Sequence, residues 1–224
     1  MFARLKRSTT GNLILELMML VVGINIALWF EGKFEDLQEA RTERQYLEGL
    51  RDDLRVDLGT MNSIIEQNTA KIARLEEMIP TIPGLAEEPP EQQIAVIFEP
   101  SSYAFFEPSD FTYRSMQESG DFRLLSDPAT KEGLLRLARQ YRLIETLQAN
   151  FIQALDDAYI PLMMSGFDMG EVQIVDKGLV DNLVFRNFFF FALQDTGGRL
   201  HATKAARDQA GTLLELIEGQ LGSS

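Results

Sequence analysis

The feature that most limits how this chain can fold is the apolar run at residues 12–30, the one long stretch of its kind in the sequence. As a helix it covers about 28 Å at a rise of 1.5 Å per residue, close to the hydrocarbon thickness of a bilayer. Trp29 and Phe30 close the run where interfacial aromatics are expected, and Arg4, Lys6 and Arg7 precede it with no acid among the first eleven residues. That asymmetry predicts one uncleaved membrane helix, a cytoplasmic N-terminus and a remainder that lies outside the cytoplasm. Two readings compete with it. A cleaved signal peptide shares the basic start, but its apolar region is shorter and ends in a small-x-small site, whereas this run ends Ala-Leu-Trp-Phe-Glu-Gly-Lys. A buried core helix of a soluble protein stays in view because Asn12, Glu16 and Asn25 interrupt the run.

On a helical wheel Asn12, Glu16, Gly23 and Ala27 share one face, with Asn25 opposite. Small residues four apart, aligned with polar ones, let membrane helices approach closely, so these four are the candidate oligomer interface within the membrane. The plainer account has Glu16, a turn inside the membrane, reaching back to the cytoplasmic headgroups. A proton or ion pathway is a third account, although one helix cannot line one alone. If copies pair, the stalk extends the pairing outward, with Gly32 as a flex point.

Residues 31–46 are charged, contain no proline and read as a helical stalk. From Leu47 to Ile79 apolar residues recur every three or four positions, broken only where Asn68 occupies the seam, which predicts a long amphipathic helix stopped by Pro80. Residues 80–90, rich in proline, read as a loop, and residues 91–98 as a short helix. Ser109 can cap a helix that runs to Ser119, Gly120 can end it in the left-handed conformation, and Asp127 with Pro128 can open the next. That next helix carries Leu134, Leu137, Tyr141, Ile144, Phe151, Leu155, Ala158 and Leu162 on one face. Residues 166–178 read as a loop with a short strand at 172–175, and residues 180–221 as a last helix that Gly197 and Gly198 can kink or divide. The expected fold is all-α: a cytoplasmic tail (residues 1–11), a transmembrane helix (12–30), a stalk (31–46) and an extracytoplasmic helical bundle (47–224).

Four strings in this order resemble an uncharacterised bacterial membrane protein family, domain of unknown function 6090. They are Gly23-Ile24-Asn25-Ile26-Ala27-Leu28, Tyr46-Leu47-Glu48-Gly49-Leu50-Arg51-Asp52-Asp53-Leu54, the stretch from Thr112 through Ser119-Gly120 to Leu124-Leu125, and Phe185-Arg186-Asn187. The resemblance implies the same topology, one N-terminal membrane helix before a helical remainder, and no activity. The acidic exit after Trp29 and Phe30 departs from the family's asparagine-rich one.

Charge and residue inventory narrow the chemistry. The formal net charge is -13, and setting aside the three N-terminal cations and Glu16 leaves -15 on the body, which disfavours nucleic acid as a partner. With no cysteine there are no disulfides, thiolate metal sites or thiol nucleophiles. The single histidine, His201, lies in a stretch from Arg199 to Gln209 that reads as an exposed helix turn, with Lys204 and Arg207 nearby. Asp52, Asp53 and Asp57 sit in one stretch of helix, and Asp53 and Asp57, four apart, could share a divalent cation, but Arg51 and Arg55 interleave with the three acids, and a solvated ion-paired face accounts for them better. Asp168, Glu171 and Asp176 lack calcium-loop spacing. Phosphate-loop, nucleophile-elbow and zinc-helix motifs are absent, so no catalytic residue, metal or cofactor is expected. Phe188, Phe189, Phe190 and Phe191 point all round a helix; they read either as a helix end enclosed by the bundle or as a surface for a partner. These features predict a membrane-anchored, oligomeric interaction or scaffolding protein with possible envelope protein partners. The alternative is a ligand-sensing bundle, which needs a separate membrane partner because about eleven residues would face the cytoplasm.

Overall fold

Apolar run, stalk and first amphipathic stretch are a single helix. A computed structural model describes the backbone of residues 6–223 and the side chains of residues 15–222. In it α1 (Lys6–Met78) passes unbroken through Gly32, a length of about 110 Å at 1.5 Å per residue. Pro80, with no donor and a ring that clashes with the carbonyl four residues back, ends it. The segment that follows is not the expected loop. It is a 3-10 helix (Ile79–Glu87) whose three-residue turns put Ile82 and Leu85 on one buried side. Next, α2 (Pro90–Phe98) closes the distal end of the bundle.

The chain then descends along α1. Lys71 donates to the carbonyls of Pro100 and Ser102, Asp57 receives Ser109, Asp53 receives Thr112, and Arg123 pairs with Glu39 at 2.9 Å. Within this descent α3 (Phe111–Ser119) ends at Gly120, whose φ of 79° is the left-handed cap the sequence predicts. A 3-10 turn (Asp121–Leu124) follows, and Glu43 accepts from the Ser126 amide. The bundle therefore engages α1 from Glu39 onward, so the upper half of the expected stalk is already part of the domain.

Helix α4 (Pro128–Ala154) opens as expected, with the Asp127 carboxylate accepting from the Ala129 and Thr130 amides. It does not run straight on. Residues Leu155–Tyr159 form a π-turn before α5 (Ile160–Gly166), which accommodates Pro161, a residue that cannot donate to the ladder. Two-residue strands β1 (Phe167–Asp168) and β2 (Gln173–Ile174) pair antiparallel, and between them Val172 takes a φ of 56°, costly for a β-branched residue but accompanied by packing on the distal cluster. After a 3-10 turn (Lys177–Leu179), α6 (Leu183–Ser223) returns the full length of the domain; Gly197 and Gly198 do not divide it.

The result is all-α: α1 and α4 run in the same direction and α6 runs back between them. Arg55 meets Glu218 at 2.6 Å and Gln220 meets Asp127 near the start of α4, which fixes that antiparallel register. Two apolar clusters fill the bundle. The proximal one joins Leu50, Leu54 and Met61 of α1 to Leu137 and Ile144 of α4 and Ala206, Leu213 and Ile217 of α6. The distal one joins Leu75, Ile97, Phe151, Tyr159 and Phe185.

Candidate functional site

Residues 15–30 of α1 form the first candidate. Every one is exposed, on all sides, and Leu20, Trp29 and Phe30 are 61%, 61% and 52% accessible. Among the described residues this is the one helix long and apolar enough to cross a membrane, and none of its apolar window is covered by the rest of the chain. A helix apolar all round belongs in a protein core or in lipid. Since the chain's own core does not take it up, the core-helix reading loses its support. A Cβ built on Gly23 meets nothing within 4 Å, so the Glu16, Gly23, Ala27 face is open to a neighbour; the side chain of Asn12 lies outside the described residues. Asn25, on the opposite side, donates to the Val21 carbonyl at 2.7 Å, which satisfies part of its amide inside the helix itself.

The second candidate is the face of α1 that carries Gly49, Asp53 and Asp57, four apart. Asp57 is only 2% exposed. Its two oxygens accept from the Ser109 amide and the Tyr141 hydroxyl, each at 2.7 Å, and Asp53 accepts from the Thr112 amide at 3.0 Å. The α3 N-terminus is thus capped from another helix, not by Ser109, and Asp110 makes no side-chain cap. Gly49 allows the approach: a Cβ there would sit 2.8 Å from the Thr112 hydroxyl. The solvated face read from the sequence holds for Asp52, which pairs with Arg51 at 2.8 Å, but not for Asp53 and Asp57. Burial pushes the Asp57 carboxyl up, against the lowering effect of its donors, and burial together with Asp57 pushes the Tyr141 hydroxyl up. Residues 46–54 and 112–125 meet here, Asp53 accepting from the Thr112 amide and Tyr46 donating to Asp121.

Beside this contact lies a cleft of about 620 Å³ between α1, the descending segment and α4. Its floor is apolar, with Leu54, Phe106 and Leu137, and its rim carries Glu107, Asp110, Arg114, Arg142 and Glu145. That volume suits a small molecule. No group of three or more acids or histidines in metal-binding proximity occurs among the described residues. In the 166–178 segment Asp168 accepts from the Gly170 and Glu171 amides and Asp176 from Gly178, which are turn-forming roles.

Between the two apolar clusters lies a polar layer; the sequence marks Asn68 as a break in the seam but places Arg199 and Thr203 in an exposed stretch, 199–209, which their burial corrects. Asn68, Lys71, Gln148, Thr196, Arg199 and Thr203 are all at most 5% exposed. Arg199 is bound to Asp195 at 2.6 Å and lies 4.7 Å from the Phe151 ring centroid, with the Lys71 amine 5.1 Å from the same ring. Gln148 holds both the amide and the carbonyl of Phe106. Arg199 Nη1 and Asn68 Nδ2 find no hydrogen-bond partner among the described residues. Burial and the nearby Arg199 push Lys71 down to about 8. The unfolded lysine titrates near 10.5, so folding releases a proton between those values, and the stability linked to Lys71 is lost as pH falls through 8. Tyr141 and Tyr159, raised by burial, oppose the gain above about pH 10, the ordinary tyrosine value. Urea unfolding in detergent should therefore show stability rising by roughly 1–2 kcal/mol from pH 7.5 to 9.5, and Lys71→Met should flatten that slope.

The phenylalanine run divides. Phe188 and Phe189 are 4% and 0% exposed, packed on Tyr159 and Phe185, so they are core and not a partner surface. At 100° per residue the next two turn outward: Phe190 is 52% exposed, and Phe191, at 39%, stacks on Phe151. His201 is exposed, as expected, but Arg199, Ala202 and Thr203 around it are buried. In comparisons with protein-family models, with curated proteins and with solved structures, nothing matches this chain.

Proposed function

We propose that this chain is a membrane-anchored, oligomeric interaction or scaffolding protein of the bacterial cell envelope, inserted through residues 12–30, with its N-terminus in the cytoplasm, its bundle in the periplasm and no catalytic chemistry. The observation that carries the reading is the apolar surface of residues 15–30, left uncovered by the described residues and continuous with the bundle through α1. Lipid covers such a surface and a continuous helix then sets the bundle's height above it. The likeness to domain of unknown function 6090 belongs to the same proposal. Reporter fusions after Ser224 test it: an export-dependent phosphatase should be active and a fluorescent protein that matures only in the cytoplasm should be dark. The reverse pattern, or release of the chain by alkaline carbonate, overturns the topology.

The cleft beside Asp57 favours a second reading, ligand sensing by the bundle through a separate membrane partner. A thermal-shift screen of the full chain in detergent separates the two. A rise with one metabolite class that Arg142→Ala removes supports sensing; no rise across the screen supports scaffolding.

A further inference from the structure

The apolar seam on α1 does not stop at the end of the membrane run. Leu20, Gly23, Ala27, Phe30, Phe34 and Leu37 follow one another at spacings of three and four, the seven-residue period of a left-handed coiled coil, with Glu16 one step earlier. Phe34 and Leu37 are the informative pair. They lie beyond the run, among Glu31, Lys33, Glu35 and Asp36, and are 70% and 58% exposed. Lipid tails do not reach a segment with that charge, and none of the described residues covers these two side chains. The next seam positions are Arg41, Arg44 and Glu48, the last two paired with each other at 3.2 Å, so the seam ends where the bundle begins.

The seam also points away from the domain. Glu39, Glu43 and Tyr46, which hold the descending segment, lie on the opposite side of α1, about half a helical turn from Phe30, Phe34 and Leu37. Two helices can close on the seam while their bundles stay outside.

Extent decides what kind of partner fits. From Glu16 to Leu37 the seam is about 33 Å long and roughly 10 Å wide, so a pair of helices buries on the order of 650 Å², well below the 1,200 Å² or more of stable complexes in water. A soluble partner would not persist on that area. A partner already held parallel in the same bilayer, at the same height, has lost most of its freedom beforehand. A second copy meets that condition by construction, because insertion places every seam residue opposite its own counterpart.

Building on the anchored topology above, we propose that two copies of this chain pair in parallel through a coiled coil that begins inside the membrane at Glu16 and continues into water through Phe30, Phe34 and Leu37. The chain's lack of cysteine makes the test direct. Single cysteines are placed at Phe30, Phe34 and Leu37 and, on the opposite side, at Gly32, Glu35 and Asp36, then oxidised in native membranes. Disulfide-linked dimers at the first three positions, at least tenfold above the second three, support the pairing. Adding Phe34→Asp with Leu37→Asp should then lower dimer at Phe30→Cys at least tenfold, with urea unfolding of the bundle unchanged. Membrane-bound chain with no dimer, or with dimer at all six positions alike, overturns the seam and leaves the anchor standing. Disulfide to a different protein overturns the second copy as occupant. Recovery of the chain in the soluble fraction overturns the anchor and the seam together.

Discussion

Phe151→Ala should lower the unfolding free energy by about 4 kcal/mol, the range found when a buried phenylalanine is cut back to alanine. Phe151 is fully buried and its ring is the meeting point of the polar layer and the distal cluster. Tyr103 and Phe191 lie 5.8 Å and 6.2 Å from it, the latter nearly parallel, and two cations face it. Truncation therefore does two things at once. It opens a cavity between α1, α4 and α6, and it removes the polarisable surface that helps Lys71 and Arg199 tolerate burial, a contact of roughly 0.5–2 kcal/mol each. Phe151→Leu separates the two effects, since it refills most of the volume without the ring. It should cost about 2 kcal/mol, mostly through the cations, and should lower the pH at which the Lys71-linked gain begins. Equilibrium unfolding in detergent reads both variants. A loss under about 1.5 kcal/mol for Phe151→Ala would show that the layer holds together without the ring.

What could be read in the sequence follows a physical divide. Local signals came through: Asp127 and Pro128 opening α4, Gly120 closing α3, Pro80 stopping α1, and the three- and four-residue spacing of the long helices. Each depends on residues a few positions apart. The misses depend on distant ones. Ile82 and Leu85 lie in a proline-rich stretch with too few residues to show a period, and only the distal cluster gives them a reason to form a 3-10 helix. Asp57 looks like one acid among interleaved arginines, because its donors lie 52 and 84 positions away. Lys71 and Arg199 carry long charged side chains that a sequence reading assigns to solvent; their burial appears once Asp195, the 100 and 102 carbonyls and Phe151 are brought around them. In the phenylalanine run the sequence showed that not all four rings could share one face, but the choice of Phe188 and Phe189 as the inner pair is set by Tyr159 on another element.

Replacing Asp57 by alanine should destabilise the bundle by about 3 kcal/mol, because it strands two donors in a place only 2% open to solvent. The Ser109 amide and the Tyr141 hydroxyl each lose their acceptor, and each such loss costs roughly 1–3 kcal/mol. Asp57→Asn should behave differently. Burial outweighs the donors in setting the Asp57 titration, so the folded site tolerates the charge less well than water does. A neutral amide keeps an oxygen for the Ser109 amide and the shape of the carboxylate, and the Tyr141 hydroxyl can turn to accept from the amide nitrogen. The cost should then be 1 kcal/mol or less. Asp53→Ala, which releases the Thr112 amide at the same α3 N-terminus, should cost about 1 kcal/mol, as loss of a helix cap does. The two aspartates hold one segment, so the double alanine variant should fall short of the sum of the singles by about 0.5 kcal/mol or more, since once α3 has lifted from α1 the second contact is already gone. Limited proteolysis gives an independent reading: cleavage within residues 99–126 should quicken in Asp57→Ala while the α4–α6 pairing stays protected. A loss below about 1 kcal/mol for Asp57→Ala would show that the carboxylate is not what ties the descending segment to α1.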